Sequence, residues 1–398
     1  MIDTKARFYN ALTGSLSLLS EPDSYFTNPA TPNFTKSPRW YTKESDPSFY
    51  APHILISGPH NRNRDIVKDI GIGKDTLVFG DSGGFQLSTG KVTETSWNRK
   101  IALEWSEANA NLFPILDMPA GGIVKSVKDA IDYTVASAKY YADNRTRSDR
   151  QILNVLSASS VSKIKEWYNA VKEFKFDGWA FGAHSNSLVV ILSGIKYLVD
   201  QGEFDTSEPR PLHIFGTTST LIIPYLLYVQ NLLNEKGIHM QLSFDSSSAS
   251  SMVNYGNYIQ YCSPKGMAIT TVSNQHPWGN LDDHSRFGCR CPLCSDATDL
   301  KYLFSEEGKG QFYMVIATHN YYKMRYYKRV YEGLINLNNK DALKSLSVEF
   351  ARNAKMIDDA FNIPGDAGLK IIKDMRTSRR KNEFVRTPVL DINNHSGE

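Results

Sequence analysis

The stretch Leu77-Val-Phe-Gly-Asp-Ser-Gly-Gly-Phe-Gln86 decides how the rest of this 398-residue chain is interpreted. Its first three residues predict a short buried strand. Its three glycines predict a backbone that turns sharply or lies close to another group. An acid, Asp81, and an aromatic residue, Phe85, stand where the strand ends. Taken alone, the stretch fits either an ordinary strand-to-helix turn capped by Asp81 or Ser82, or part of a functional site.

The same pattern of a short apolar run, a turn and a helix-like segment recurs along the chain. Alternation of strands and helices predicts a parallel sheet. Seven repeats over about 200 residues favour a closed (β/α)8 barrel, the TIM-barrel fold, over an open sheet. Helices are indicated, for example, over residues 98–110, 126–144 and 221–236. The seven apolar runs are 54–56, 77–79, 112–116, 152–156, 179–181, 212–215 and 241–244.

Three acids follow three different strands of this predicted barrel. Asp81, Asp117 and Asp245 each stand directly after an apolar run. In barrels of this kind the active site is built at the end where the strands finish. Three carboxylates on three strands therefore predict a site there.

Composition places the chain among ordinary soluble globular proteins, with 41% hydrophobic and 22% charged residues. The first residues lack the apolar core of a signal peptide, and no run of about 18 apolar residues could span a membrane. We therefore expect a cytoplasmic protein without membrane partners. We predict four parts: an irregular aromatic- and proline-rich segment (1–51), a catalytic barrel (52–265 with part of 320–398), a zinc-binding subdomain (266–330) and a basic helical part (331–398).

Basic residues concentrate near the end of the sequence. Residues 301–398 contain 17 Lys and Arg against 12 Asp and Glu, whereas the first 300 residues carry a net charge of −2. Such clusters fit either a nucleic-acid backbone or a solvated helix face. The two clusters are Lys323, Arg325, Lys328 and Arg329, and then Lys370, Lys373, Arg376, Arg379, Arg380 and Lys381.

Three of the four cysteines, Cys289, Cys291 and Cys294, lie within six residues. In a chain without a secretion signal, this spacing favours a metal site over a disulfide framework. Tetrahedral zinc needs a fourth ligand, for which His319 and His284 are the candidates. Such a zinc ion would be structural.

Together these features resemble the tRNA-guanine transglycosylase superfamily of base-exchanging (β/α)8 barrels, over residues 52–330. The segment Asp81-Ser-Gly-Gly-Phe-Gln86 is similar to that family's most characteristic motif, and Phe244-Asp245-Ser to the segment that carries its nucleophile. The resemblance implies a pentosyltransferase with one structural Zn²⁺ per chain. Four residues match the family's zinc ligands in type, order and spacing: Cys289, Cys291, Cys294 and His319.

The resemblance also implies a role for each site residue. Asp245 would be the nucleophile and Asp81 the general acid/base, which together replace guanine by a free 7-deazaguanine base through a covalent sugar intermediate. Asp117 would hold the guanine edge, and Phe85 and Phe215 would sandwich the base, although core packing is the alternative role for each aromatic residue. The remaining implied base-binding positions are Ser82, Gln86, Ser157, Gly178 and Gly182.

Departures from the family pattern bear on the substrate. Ser157 stands where the family has a glutamine, and Ala183 and His184 stand where bacterial enzymes have a glutamate that serves an aminomethyl group. Loss of that glutamate favours a neutral substituent, as in 7-cyano-7-deazaguanine (preQ0).

The stretch after the proposed nucleophile is a second departure, and it bears on which polymer is modified. After Asp245 no Arg or Lys occurs until Lys265. This resembles the archaeal branch and the bacteriophage and bacterial enzymes that modify DNA. An archaeal tRNA enzyme would usually carry a further RNA-binding domain after the barrel, whereas only about 70 residues of basic sequence follow it here. We therefore expect the polymer to be DNA. A duplex would have to be opened, or its nucleotide flipped out, to give access to the base. The basic tail and the aromatic N-terminal segment are candidates for holding the strands.

Three alternatives stay open. The polymer could be tRNA, as for archaeal relatives. The chain could be a non-catalytic nucleic-acid-binding paralogue, although such a paralogue would be expected to lose Asp81 or Asp245. The segment Gly80-Asp-Ser-Gly-Gly84 also matches a serine-protease nucleophile turn, which would make Ser82 catalytic but belongs to an all-β fold. A homodimer or an accessory protein is compatible with each alternative.

Overall fold

The computed structural model describes residues 5–12, 39–42, 50–182, 187–217, 221–255, 257–263, 266–271, 291, 294 and 309–375. Eight parallel strands close into one barrel in chain order, with β1 hydrogen-bonded to β8. The (β/α)8 prediction is confirmed. The strands are β1 (Arg7–Ala11), β2 (His53–Ser57), β3 (Leu77–Asp81), β4 (Leu112–Pro114), β5 (Gln151–Leu156), β6 (Gly178–Phe181), β7 (Arg210–Ile214) and β8 (Met240–Ser246).

The barrel begins earlier than the sequence indicates. Residues 1–51 are expected to be irregular, but Arg7–Ala11 forms β1 and closes the barrel between β2 and β8. Tyr9 of this strand lies inside the barrel, in edge contact with Phe79 and His213. A five-residue strand with no following helix signal lacks the repeat by which the other seven were found. Residues 13–38 and 43–49 lie outside the described part.

Helices connect the strands and cover the barrel. Polar caps start several of them: Asn98 accepts from the backbone N–H groups of Lys100 and Ile101, and Ser126 accepts from that of Asp129. Between β2 and β8 the α-helices are α1 (Ile66–Asp69), α2 (Gly84–Ser88), α3 (Arg99–Asn109), α4 (Val127–Asn144), α5 (Val161–Val171), α6 (Leu188–Asp200) and α7 (Ile223–Glu235).

The segment after the barrel folds back against it. An antiparallel pair, β9 (Asn257–Ser263) and β10 (Gly266–Thr271), precedes a long helix that contacts both β9 and α7. Tyr228 of α7 donates to Asp358, and the backbone N–H of Gly365 donates to Asp200. The remaining helices are α8 (Ser248–Ser251), α9 (Lys309–Asn336), α10 (Lys340–Leu346), α11 (Val348–Asn362) and α12 (Gly365–Lys373).

The strand register brings the predicted acids to one end of the barrel. Ser57 pairs with Asp81, and Tyr9 pairs with Asp245, each near the end of its strand. We call the end at which the strands finish the carboxyl rim and the opposite end the amino rim. Among the described residues, no helix is long and apolar enough to cross a membrane.

Candidate active site

The glycine-rich turn after β3 explains why these residues are small. Gly83 has φ +82°, a left-handed conformation that favours glycine, and a Cβ there would lie 2.1 Å from Pro59. A Cβ on Gly84 would lie 2.2 Å from Oδ1 of Asp117. The backbone N–H of Gly83 donates to Asp81 Oδ1 at 3.2 Å. Asp81 thus stabilises the turn, as expected of a capping residue. The turn also packs directly against a second acid, Asp117.

Asp81 is half-buried and surrounded by polar groups. Gln86 Nε2 donates to Asp81 Oδ2 at 3.4 Å and to Ser57 Oγ at 3.2 Å, and His60 Nδ1 contacts the same Ser57 Oγ at 3.1 Å. Burial raises the pKa of Asp81, and the negative charge of Asp245 raises it further, against the Gly83 hydrogen bond. A carboxyl group with a raised pKa holds a proton more readily, which suits it to donate and accept one.

Asp245, on β8, has a different environment. Its Oδ1 accepts from the backbone N–H of Gly216 at 2.7 Å and lies 3.3 Å from His213 Nε2. His213 is buried, and its other nitrogen contacts Ser243 Oγ at 2.9 Å. Within the described residues, no hydrogen bond reaches the second carboxylate oxygen, Oδ2. One oxygen of Asp245 is therefore held in place, and the other is left for a reacting partner.

Asp117 follows β4 and is buried beside β5. Ser157 Oγ donates to Asp117 Oδ2 at 2.5 Å. Burial raises the pKa of Asp117 to about 6, and the charge of Asp81 adds to this, whereas the Ser157 hydrogen bond opposes it. A Cβ on Gly182 would lie 2.7 Å from Ser157 Oγ, so glycine there leaves room for that serine. The structure thus brings Asp117, Ser157 and Gly182 together.

The two predicted sandwich residues differ in exposure. Phe85, at the start of α2, is 51% exposed, and Lys91 Nζ lies 5.5 Å from its ring centroid. Core packing therefore does not explain Phe85. Phe215 is half-buried and makes edge contacts with Phe79 at 5.6 Å and His213 at 4.7 Å. The ring of Phe215 thus packs against the barrel interior, whereas about half of the Phe85 side chain is exposed to solvent.

Gly178 does not lie with the other predicted base-binding residues. It is the first residue of β6, at the amino rim, whereas Gly182 follows the end of the same strand. A Cβ on Gly178 would lie 2.3 Å from the carbonyl oxygen of Pro211, so tight strand packing accounts for this glycine. The structure therefore shows a packing role for Gly178, and its contact with a base stays a prediction.

The serine-protease alternative also fails. Ser82 is buried in a parallel barrel, and its carbonyl accepts from Trp97 Nε1 at 2.7 Å. The two histidines near the site, His60 and His213, contact other serines. Among the described residues, no histidine is hydrogen-bonded to the Ser82 hydroxyl, so the general base of a serine nucleophile is missing there.

Sequence reasoning missed His213, Ser57 and the Gly216 N–H. A signal for His213 was present, because side chains along a strand alternate in direction and His213 shares its face of β7 with Phe215. A polar residue on the inner face of an otherwise apolar strand indicates a buried hydrogen-bonding role.

A possible metal site lies in the C-terminal region. Donor atoms of Cys291, Cys294 and His319 all lie within 4.8 Å of one another, and all three residues are buried. His319 Nδ1 lies 3.3 Å from Cys291 Sγ and 3.2 Å from Cys294 Sγ. Cys289 and His284, the other predicted ligands, lie outside the described residues.

The donor set fits a metal ion. The Nε2 of His319 lies 2.7 Å from the carbonyl of Ile259, where it can only donate, so Nδ1 carries the lone pair that faces the cysteines. Tetrahedral zinc with ordinary bond lengths separates S and N ligands by about 3.6 Å. The observed separations are about 0.3 to 0.4 Å shorter, so small side-chain shifts would let these three residues hold a metal.

Two known proteins are similar to part of this chain. No family model matches the chain. Over 284 residues, 68% of this chain, it is 23% identical to a tRNA-guanine(15) transglycosylase of Korarchaeum cryptofilum (strain OPF8), of which the match covers 42%. Over 263 residues, 63% of this chain, it is 22% identical to a tRNA-guanine(15) transglycosylase of Methanococcus aeolicus (strain ATCC BAA-1280 / DSM 17508 / OCM 812 / Nankai-3) and covers 36% of it.

These matches support the tRNA-guanine transglycosylase superfamily. Both relatives are named for a transglycosylase activity. The chain spans less than half the length of the two curated relatives it matches, and both matches are weak.

Asp117 generates a prediction on stability. The pKa of its carboxyl group is about 6 in the folded protein and about 4 in the unfolded chain. The folded state therefore binds this proton more tightly, and the stability it contributes is lost as the pH rises from about 4 to 6. We expect Asp117→Asn to raise the free energy of unfolding above pH 6 by up to about 3 kcal/mol.

Chemical denaturation between pH 4 and 8 measures this difference. It should shrink below pH 6 and vanish near pH 4. The matched control is Asp132→Asn, which removes an exposed carboxylate of α4. A stability difference between Asp117→Asn and the unmodified protein that is the same at pH 5 and pH 8 would contradict the raised pKa.

Proposed function

We propose that this protein exchanges guanine in a nucleic acid for a free 7-deazaguanine base. The observation that carries the proposal is the pair of carboxylates, Asp81 and Asp245, which stand at one rim in different environments. Burial raises the pKa of Asp81, and the Gly216 N–H holds one oxygen of Asp245. A proton carrier and a positioned nucleophile are what exchange at an anomeric carbon requires.

The proposed reaction has two balanced halves. Asp245 Oδ2 attacks the anomeric carbon, the bond from that carbon to the base nitrogen breaks, and its electron pair leaves with guanine, which takes a proton from Asp81. The incoming base then returns a proton to Asp81 while its nitrogen attacks the same carbon and releases Asp245. Each half inverts the configuration of the anomeric carbon, so the two halves together retain it.

Other residues would bind and orient the base. When ionised, Asp117 has two acceptor oxygens that match the N1–H and exocyclic amine of guanine, and Ser157 already occupies part of one of them. Phe85 and Phe215 offer flat apolar faces for the ring. The buried Oε1 of Gln86 accepts no hydrogen bond within the described residues, so it could accept one from the base or sugar. His213 contacts the nucleophile rather than the substrate and is a positioning residue.

For the polymer we propose DNA, with preQ0 as the replacement base. The segment that follows the nucleophile, Ser246 to Asn254, contains no Arg or Lys. Ala183 and His184 replace the acid expected for an aminomethyl substituent. The second candidate is tRNA, which the names of both relatives favour. A duplex target would have to be opened, since a stacked base shields its edge.

One assay tests the reaction and separates the two polymers. Purified protein is incubated with labelled preQ0 and either duplex DNA or unmodified tRNA, and label in the polymer is counted. We expect label in DNA, and less label when the cyano base is replaced by the aminomethyl base. Label that enters only tRNA would overturn the DNA proposal and keep the exchange reaction. Label in neither polymer, with intact protein, would speak against the exchange.

Substitution of the two acids tests their roles. Asp245→Asn should abolish exchange, because an amide cannot form the covalent sugar intermediate. Asp81→Asn should lower the rate at least about 10²-fold, the usual effect of losing a positioned acid–base group. Denaturing gels should show a covalent protein–nucleic acid band for the unmodified protein and none for Asp245→Asn. Exchange by Asp245→Asn at the unmodified rate would exclude Asp245 as the nucleophile.

We also propose that the cysteine cluster holds one structural zinc ion. Cys291, Cys294 and His319 supply three ligands of suitable type, and Cys289 is the proposed fourth. Zinc with four protein ligands stabilises a fold and takes no part in the reaction. The ion would tie α9, through His319, to the segment that carries the cysteines.

Metal analysis tests the zinc proposal. We expect about one zinc per chain by atomic emission, its loss in Cys291→Ser, and a lower unfolding temperature for that variant. The matched control is Ser250→Cys, which adds a buried thiol outside the proposed metal site. It should leave the zinc content unchanged. A full equivalent of zinc in Cys291→Ser would exclude Cys291 as a ligand.

A further inference from the structure

A cationic cleft lies at the amino rim of the barrel. Its volume is about 390 Å³, and it lies between the start of the barrel and the second half of α9. Among the described residues that line it, Glu332 is the single carboxylate. The cationic residues of this described lining are Lys5, Arg7, Arg325, Lys328 and Arg329.

The cleft is separate from the candidate active site. Arg7 and His53 are the first residues of β1 and β2, and Gln241 is the second residue of β8. Asp245 lies four residues further along β8, which is about 13 Å at the rise of a parallel strand. A nucleotide that reacts with Asp245 at the carboxyl rim does not reach this cleft. The basic cluster on α9 that the sequence suggested for substrate strands thus lies at the opposite rim.

The lining of the cleft contains more cationic than anionic side chains. Lys328 forms an ion pair with Glu332, yet burial lowers its pKa, and Arg325 and Arg329 lower it further. Burial, with Arg7, Arg325 and Lys328, lowers the pKa of His53 to about 3. His53 is therefore neutral and adds no charge. Like charges held together in a partly dry cleft cost free energy that a bound anion would offset.

We propose that this cleft binds the phosphate group of a small anion. Two or more guanidinium groups around one cavity suit phosphate oxygens, which accept paired N–H donors in a planar fork. The volume admits a phosphate with room for an attached nucleoside. The source of the phosphate is either the free ion or a mononucleotide, and both present the same group to the arginines.

Calorimetric titration at constant ionic strength tests the proposal. Inorganic phosphate, a nucleoside monophosphate and the nucleoside without phosphate are each titrated into the full chain. We expect saturable binding of the first two and none of the nucleoside. Tighter binding of the nucleotide identifies it as the source, and equal binding identifies free phosphate. No saturable binding of either phosphate compound overturns the proposal.

Variants locate the binding. Arg329→Gln removes an exposed guanidinium of the cleft and should weaken phosphate binding at least about tenfold. The matched control, Lys139→Gln, removes an exposed charge of α4 and should leave binding unchanged. Without phosphate, Arg329→Gln should unfold at the same temperature as the unmodified protein or higher, because it relieves repulsion. Equal phosphate affinity in Arg329→Gln and the unmodified protein overturns the assignment to this cleft.

Discussion

Three carboxylates lie at one rim of the barrel, and the rest of the site depends on how the repulsion between them is offset. Asp81 and Asp245 repel each other, as do Asp81 and Asp117, in surroundings that water reaches poorly. Each carboxylate accepts a hydrogen bond from its own donor. Asp81 accepts from the N–H of Gly83, Asp245 from the N–H of Gly216, and Asp117 from the hydroxyl of Ser157. The donors are two backbone N–H groups and one hydroxyl, so the three carboxylates lie in different environments. This difference allows similar residues to take different roles.

Close backbone packing makes that arrangement possible. The turn after β3 passes so near Asp117 that any side chain at Gly84 would collide with its carboxylate. Gly182 leaves similar room for Ser157 on the other side. The glycines therefore act as spacers between acids and their donors, besides allowing a tight turn. A larger residue at either position would move a carboxylate as well as the chain.

The two rims of the barrel carry opposite charge. Carboxylates gather where the strands finish, and arginines and lysines gather where they start. Helix α9 carries both His319 of the metal cluster and Arg329 of the cationic cleft, which lies ten residues or about 15 Å further along. The helix also packs on the barrel through Tyr321, which contacts Phe8. A metal ion and an anion would thus bind ten residues apart on one helix.

The sequence by itself determined the barrel and the acids of its site, because strand–helix periodicity and the position of a residue after a strand are local properties. It also indicated the cysteine–histidine cluster, whose spacing is local for Cys291 and Cys294. Only the tertiary structure placed β1 in the barrel, put His213 beneath Asp245 and moved Gly178 to the amino rim. Those facts depend on which strands become neighbours when the sheet closes, and such contacts join residues far apart in the chain. Periodicity tells which face a side chain takes, but closure of the barrel decides what that face meets.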